Sequence, residues 1–309
     1  MSVRVFIDGA VGTTGLEIRE RLEQRRDVAL VTLDEARRKD DAARAQAIND
    51  ADIVILCLPD DAARAAVAMI ANDRTRVIDA STAHRVADGW TYGFAELEPD
   101  QAERIAGARF VSNPGCYPTG FLALVRPLVR AGLLAPDALL SVNATSGYSG
   151  GGKAMIAEFE GGEANTAFRP YALGLAHKHA PEMRRHAGLT HAPIFQPAVA
   201  RAYRGMVVQV PLHLAQLGRR ATLTDVAEVL ASAYDGGRVV RFAHEATSVA
   251  RIEDDAGTDR MTLRVTGNQA AGQALLIATL DNLGKGAAGA AVQNLNIMAG
   301  LDPVAGLTL

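Results

Sequence analysis

The sequence predicts an α/β protein in two parts, a doubly wound parallel sheet followed by a second, α+β domain with a largely antiparallel or mixed sheet. Three observations carry this expectation. Short apolar runs at 3–7, 28–33, 51–58, 76–80 and 108–111 alternate with helix-forming segments, the rhythm of parallel strands joined by crossover helices. A glycine turn follows the first run. Further along, runs at 139–144, 206–214, 238–242, 261–265 and 274–281 have few helices between them. A chain of 309 residues has length for about two such domains.

In order, residues 3–7 read as a buried strand, and Gly9-x-x-Gly12-x-x-Gly15 leads into an apolar helical spacing at 16–22. A glycine turn between a first strand and its helix is where a dinucleotide pyrophosphate docks on helix N–H groups, which makes the half Rossmann-like. The spacing departs from Gly-x-Gly-x-x-Gly, so a purely structural tight turn is the competing reading. No Gly-Lys-Ser/Thr is present there, which excludes a Walker-type phosphate loop. The second strand ends at Asp34-Glu35, followed by Arg37-Arg38-Lys39. An acid at this point favours a ribose hydroxyl and NAD, whereas the cations would receive the 2′-phosphate of NADP. The third strand closes at Pro59 before Asp60-Asp61 open a helix over 62–70.

Ligands of such sheets bind beyond the carboxyl ends of the strands. Gly9 to Gly15, Leu58-Pro59, the stretch from Asp79 through Ser81 to Arg85, and Asn113 to Cys116 all lie at such ends and are expected to line one crevice. Cys116 sits in Ser112-Asn113-Pro114-Gly115-Cys116-Tyr117-Pro118-Thr119-Gly120, between a strand and an apolar helix that Pro127 should kink or stop. At a helix start the backbone N–H groups and the dipole favour a thiolate, and Pro118 suits a first helical position. The alternatives are a nucleophile and a small buried hydrophobe. A nucleophile needs a base, and His179, just before a helix that Pro181 opens, is either that base or a surface or satisfied structural histidine. Its neighbour His177 invites a metal reading, but two histidines without further ligands nearby make a poor zinc site, so no metal is expected.

A net charge of −3 argues against nucleic acid and anionic membranes, and Cys57 and Cys116 form no disulfide framework. No apolar run reaches spanning length, so a soluble cytoplasmic protein is expected.

With Tyr92-Gly93-Phe94-Ala95-Glu96-Leu97, Asn113-Pro114-Gly115-Cys116-Tyr117-Pro118-Thr119, Ser146-Gly147, His179-x-Pro181-Glu182 and Lys285-Gly286-Ala287-Ala288-Gly289 leading to Gln293-Asn294, the chain resembles the N-acetyl-γ-glutamyl-phosphate reductases, in their shorter form, over nearly its whole length. The resemblance implies Cys116 as nucleophile and His179 as general acid/base. It implies NADP held by Gly9, Gly12, Thr13, Thr14, Gly15, Pro59, Ser146, Gly147 and Asn294, and an acyl-phosphate substrate met by Ser81, Arg85 and Asn113. The family often has Asp-Phe-Arg where this chain has Ala83-His84-Arg85. An NADP-binding domain over 1–116, completed by about 285–309, and a catalytic and oligomerisation domain over 117–284 are expected, in a homo-oligomer, dimer or tetramer. The rivals are an aspartate-semialdehyde dehydrogenase-like enzyme, a dinucleotide-binding sensor without chemistry, and a thiol hydrolase using Cys116 and His179.

Overall fold

A computed structural model describes residues 2–162, 164–245 and 247–309. The chain divides into two compact units, 1–114 with 287–307, and 115–286 with 308–309. Among the described residues no helix is long and apolar enough to cross a membrane.

In the first unit β1 (Val3–Asp8), α1 (Thr13–Leu22), β2 (Val28–Val31), α2 (Asp41–Asp50), β3 (Ile53–Leu56), α3 (Asp60–Ala68), β4 (Arg76–Asp79), β5 (Thr91–Tyr92), α4 (Gln101–Gly107) and β6 (Phe110–Ser112) build a six-stranded sheet. Its order is β2-β1-β3-β4-β6-β5, with every pairing parallel. Both faces are covered, so β3 is apolar throughout, Ile53 to Leu56 all being buried. The chain runs outward in opposite directions from β1 and β3, and the crevice of a doubly wound sheet opens at that point.

In the second unit α5 (Cys116–Arg130), β7 (Ser141–Gly147), α6 (Gly152–Glu160), β8 (Phe168–Pro170), α7 (Ala180–Ala187), β9 (Ile194–Ala200), β10 (Met206–His213), α8 (Leu223–Ala233), β11 (Val240–Phe242), β12 (Met261–Asn268) and β13 (Gln273–Leu280) form a mixed sheet ordered β11-β12-β13-β10-β7-β9-β8. The β7–β9 and β11–β12 pairs are parallel and the rest antiparallel. Helix α5 is apolar nearly all round, with eleven of its fifteen residues buried, as suits a helix at the middle of a core. Gly120 lets it lie directly on β10, where a Cβ would stand 2.7 Å from Val208.

The last helix, α9 (Gly289–Met298), is buried along its whole length and belongs to the first unit. Ala291, Val292 and Leu295 join the cluster of Val5, Ile18, Ile55 and Ile78. Two arginines hold this return. Arg76 donates to the carbonyls of Met298, Ala106 and Ala108, and Arg25 donates to Asn296 Oδ1 at 2.6 Å and to the Ala305 carbonyl at 3.0 Å.

Several local expectations are corrected. Helix α5 starts at Cys116, which makes Pro118 its third residue. Pro127 neither stops nor ends the helix, which runs on to Arg130. A proline has no N–H for the carbonyl four residues back, and here the Tyr234 hydroxyl donates to that carbonyl, Ala123, at 2.9 Å. A buried orphan has thereby gained a partner. The strand expected over 139–144 begins at Ser141 and extends to Gly147, and β9 is a strand despite Pro197 at its middle.

Tyr234→Phe is expected to destabilise the protein by about 1–3 kcal/mol, the cost of an unsatisfied buried carbonyl. In a Pro127→Ala background the helix can supply the missing N–H, so the same substitution should cost less. Denaturant unfolding of the four proteins of the cycle decides this, and equal costs in both backgrounds would remove the explanation.

Candidate active site

The first unit carries a cleft beyond the glycine turn that follows β1. Gly9 turns the chain after β1 at φ +89°, and a Cβ there would lie 2.3 Å from the Cys57 carbonyl, so only glycine serves. At Gly15 a Cβ would meet the Gly9 carbonyl at 2.5 Å. Gly12 differs, because its nearest protein atom would be 3.4 Å away. The protein itself tolerates a side chain at Gly12, so the bare position leaves room for something outside it, at the N-cap of α1. Beside it, at the first helical position, the buried Thr13 hydroxyl finds no hydrogen-bond partner among the described residues, and Thr14 follows. An oxyanion at this helix start would meet the N–H groups, the dipole and that hydroxyl together.

From this turn a cleft of about 670 Å³ extends past Leu30 to Leu33 and Cys57-Leu58, with Arg19, Glu35, Arg38, Lys39 and Arg44 on its walls. Arg44 is bound to Asp8 at 2.9 Å and to Asp41, and Arg38 pairs with Glu35. Asp34 is used locally, its carboxylate accepting the Arg37 N–H at 2.8 Å. Pro59 stands at the N-cap of α3. Cys57 is unsuited to nucleophilic work. Burial, with the Asp79 and Asp8 carboxylates adding to it, pushes its thiol up to about 12. That leaves about one thiolate in 10⁵ at neutral pH.

The loop after β4 is folded around one carboxylate. Asp79, fully buried, accepts the Ser81 N–H at 2.9 Å, the Ser81 hydroxyl at 2.7 Å and sits 2.6 Å from His84 Nδ1, while Trp90 stacks on the His84 ring at 4.1 Å. Asp60 at the start of α3 holds Thr82 from the other side. Arg85, buried at the end of this loop, donates to the main-chain carbonyls of Asn113 and Ala80, both at 3.0 Å. Asn113 donates to the Ala287 carbonyl and accepts from Asn294, whose amide also donates to the Gly93 carbonyl. Gly93 is required for this, since a Cβ there would stand 2.4 Å from Asn294 Nδ2. Asn294 Oδ1, buried, has no partner among the described residues.

The second unit carries Cys116 and His179. Cys116 opens α5, where helix N–H groups and the dipole favour a thiolate. Pressed against it is Gly286, whose Cβ would stand 2.9 Å from that of Cys116. His179 caps α7 and is buried. The starts of the two helices are joined by Glu182, a buried residue in the first turn of α7 whose carboxylate accepts the Gly115 N–H at 2.8 Å. The Tyr117 ring lies 5.9 Å from that of His179, and its hydroxyl donates to the Ala198 carbonyl. Ser146 and Gly147 end β7. Gly147 lies under the carbonyls of Tyr203 and Ala202, where a Cβ would clash at 2.7 and 2.8 Å, so a close backbone approach alone explains that glycine. Among the described residues no group of three or more His, Cys, Asp or Glu side chains could hold a metal ion.

Glu182 and Gly286 stand within the sequence motifs above, where nothing assigns either a task. A carboxylate expected in the first turn of a helix, next to apolar positions, is the signal that could have marked Glu182 as buried. The His84–Trp90 stack left no such signal, because nothing in the spacing of the two residues implies contact.

Two family models match. Residues 116–282 match the semialdehyde dehydrogenase dimerisation domain and residues 4–105 the semialdehyde dehydrogenase NAD binding domain. A Chelativorans protein named N-acetyl-gamma-glutamyl-phosphate reductase is 51% identical over 96% of this chain and 98% of its own. A protein of the same name from Mesorhizobium japonicum is 51% identical over 97% and 100%. In fold, the chain is similar to a probable aspartate-semialdehyde dehydrogenase from Pseudomonas aeruginosa, with a TM-score of 0.74 at 18% identity over 97% and 99% of the two chains. It is likewise similar to aspartate semialdehyde dehydrogenase II from Vibrio cholerae, with a TM-score of 0.71 at 17% identity over 97% and 99%.

Iodoacetamide at neutral pH is expected to modify Cys116 and to spare Cys57. Peptide mapping reads this directly, and carbamidomethylation at Cys57, or its persistence at wild-type rate in Cys116→Ser, would contradict the assignment.

Proposed function

The chain belongs to the N-acetyl-γ-glutamyl-phosphate reductase family of semialdehyde dehydrogenases, and from that membership we propose how its own residues reduce N-acetyl-L-glutamyl 5-phosphate to N-acetyl-L-glutamate 5-semialdehyde and phosphate in arginine biosynthesis. The observation that carries the reading is Cys116 at a helix N-terminus, tied through Glu182 to the helix whose N-cap is His179.

The Cys116 thiolate attacks the acyl carbon, the C–O bond to phosphate breaks, and a thioester forms. NADPH, when held in the first unit, would supply the hydride that reduces this thioester to a thiohemiacetal. The oxyanion that develops needs donors, and the first turn of α5 offers backbone N–H groups. His179 moves the proton as the carbon–sulfur bond breaks and the aldehyde leaves. Arg85 is assigned to the phosphate, a role suited to a guanidinium fork, with Asn113 beside it and Ser81 holding the loop in shape.

The first unit is assigned to the nucleotide and the second to the substrate. The glycine turn fits a pyrophosphate because of the bare Gly12 and the orphaned Thr13 hydroxyl, and Asn294 Oδ1 fits a carboxamide N–H. Gly9 and Gly15 shape the turn, Thr14 is next along the helix, and Pro59 ends the neighbouring strand connection. Ser146 and Gly147 are kept as cofactor contacts by resemblance alone. We assign NADP rather than NAD because Arg19, Arg38, Lys39 and Arg44 line the cleft whereas Asp34, its carboxylate turned to the Arg37 N–H, is not part of that lining.

With N-acetylglutamate semialdehyde, phosphate and NADP, the protein should reduce the nucleotide, faster than it reduces NAD. Omitting phosphate should stop the reaction, since the thioester then has no acceptor, and Cys116→Ser should be inactive. Phosphate-independent turnover would sink the mechanism, and a preference for NAD would sink the cofactor assignment.

We further assign the second unit as the surface for a second copy. Val208 faces α5, so the alternate residues Val207, Gln209 and Pro211 face the other way, the first two in register with Thr145 and Asn143 of β7, which in turn pair with Ala198 and Gln196 of β9. Most of these positions are half-buried or exposed, and Ile194 on the neighbouring strand is 51% exposed. Light scattering after size exclusion should give a multiple of the 32.6 kDa chain mass. A monomer at micromolar concentration would refute this.

A further inference from the structure

His177 lies two residues before His179 and has no part in the chemistry above. Its ring is boxed by aromatic edges: Phe195 at 5.0 Å, Tyr171 at 5.8 Å and Tyr117 at 6.2 Å between centroids, with the His179 ring at 4.7 Å. Tyr171 and Tyr117 are themselves fixed, the first donating to the hydroxyl of the second and the second to the Ala198 carbonyl. Inside this box His177 Nδ1 accepts the backbone N–H of His179 at 3.1 Å, and the His177 carbonyl accepts the N–H of Ala180 at 3.0 Å. A side-chain acceptor on the N–H two residues ahead is the pattern of an Asx turn, with an imidazole nitrogen where an asparagine oxygen normally stands.

We propose that His177 is a positioning residue for His179: its neutral ring, with the proton on Nε2, closes the turn that sets the backbone of His179 and so aims the acid/base group. The proposal rests on the acid/base role assigned to His179. The bond requires an unprotonated Nδ1, because imidazolium has no acceptor. The surroundings favour that form. Burial and the neighbouring Lys178 hold His177 below its ordinary 6.5, with Glu182 on α7 pulling the other way. The remaining titratable groups facing it are Tyr117 on α5, Tyr171 and His179 itself.

The test compares His177→Phe, which keeps an aromatic ring in the box but removes the acceptor, with His177→Asn, which restores an acceptor of Asx-turn geometry. In the semialdehyde, phosphate and NADP assay, His177→Phe should lose kcat by about 100-fold, the scale of a misplaced catalytic group, with both substrate KM values little changed. His177→Asn should recover most of that loss. A His177→Phe enzyme with wild-type kcat overturns the proposal, and so does a folded His177→Asn enzyme as slow as the phenylalanine variant. His179→Ala, assayed alongside, separates the two failures. Full activity there removes the acid/base role and the positioning role with it, whereas loss there beside an active His177→Phe removes only the positioning role.

Discussion

In the second unit a buried hydrogen bond from the Gly115 N–H to the Glu182 carboxylate ties together the starts of α5 and α7. Burying an ionised carboxylate in a protein costs several kcal/mol unless it finds donors, so Glu182, 1% exposed, is a commitment by the fold. Its place in the first turn of α7 puts it at the favourable end of that helix's dipole, and the Gly115 bond adds about 1.5–3 kcal/mol. The consequence is geometric. The bond clamps the residue before Cys116 to the turn after His179, so the starts of α5 and α7 cannot separate without exposing a buried charge.

The rest of α5 is arranged around the same demand. A helix whose first residue must stay fixed cannot bend freely further along, yet Pro127 breaks its ladder. Tyr234 removes the conflict by donating to the carbonyl that the proline leaves, and Gly120 allows the helix to lie against β10 at close range. At the helix start Gly286 touches Cys116 with no side chain between them. Each of the two glycines is needed where a Cβ would displace a neighbour, so the position of the thiol is set by steric exclusion as well as by hydrogen bonding.

The first unit was legible because its signals are local. Buried parallel strands read as unbroken apolar runs, and Gly9, forced into positive φ, could be no other residue. Elements decided by tertiary contact were not legible. Pro197 argues against a strand, yet β9 forms because β7 and β8 pair on either side of it. Strand β5 is two residues long and β8 three, below the reach of any periodicity. At the site the residue types were readable and their partners were not. His177 invited a metal reading, set aside for want of further ligands, and otherwise that of a structural histidine, since the acceptor role of its Nδ1 depends on a turn that closes in three dimensions.

The nucleotide half shows why an incomplete hydrogen-bond network can be informative. Around Asn113 the polar groups are used: the carbonyl by Arg85, the amide nitrogen by Ala287, the amide oxygen by Asn294. Because Asn294 Nδ2 donates both there and to Gly93, the orientation of its amide is fixed, and its oxygen is the atom left over. Leaving such an acceptor buried and unsatisfied costs about 1–3 kcal/mol, and so does the Thr13 hydroxyl at the start of α1, likewise without a partner among the described residues. A ligand with an amide donor and an oxyanion would relieve both. Both atoms are held by rigid neighbours in advance, so a dinucleotide that supplied those two partners would meet them with little reorganisation.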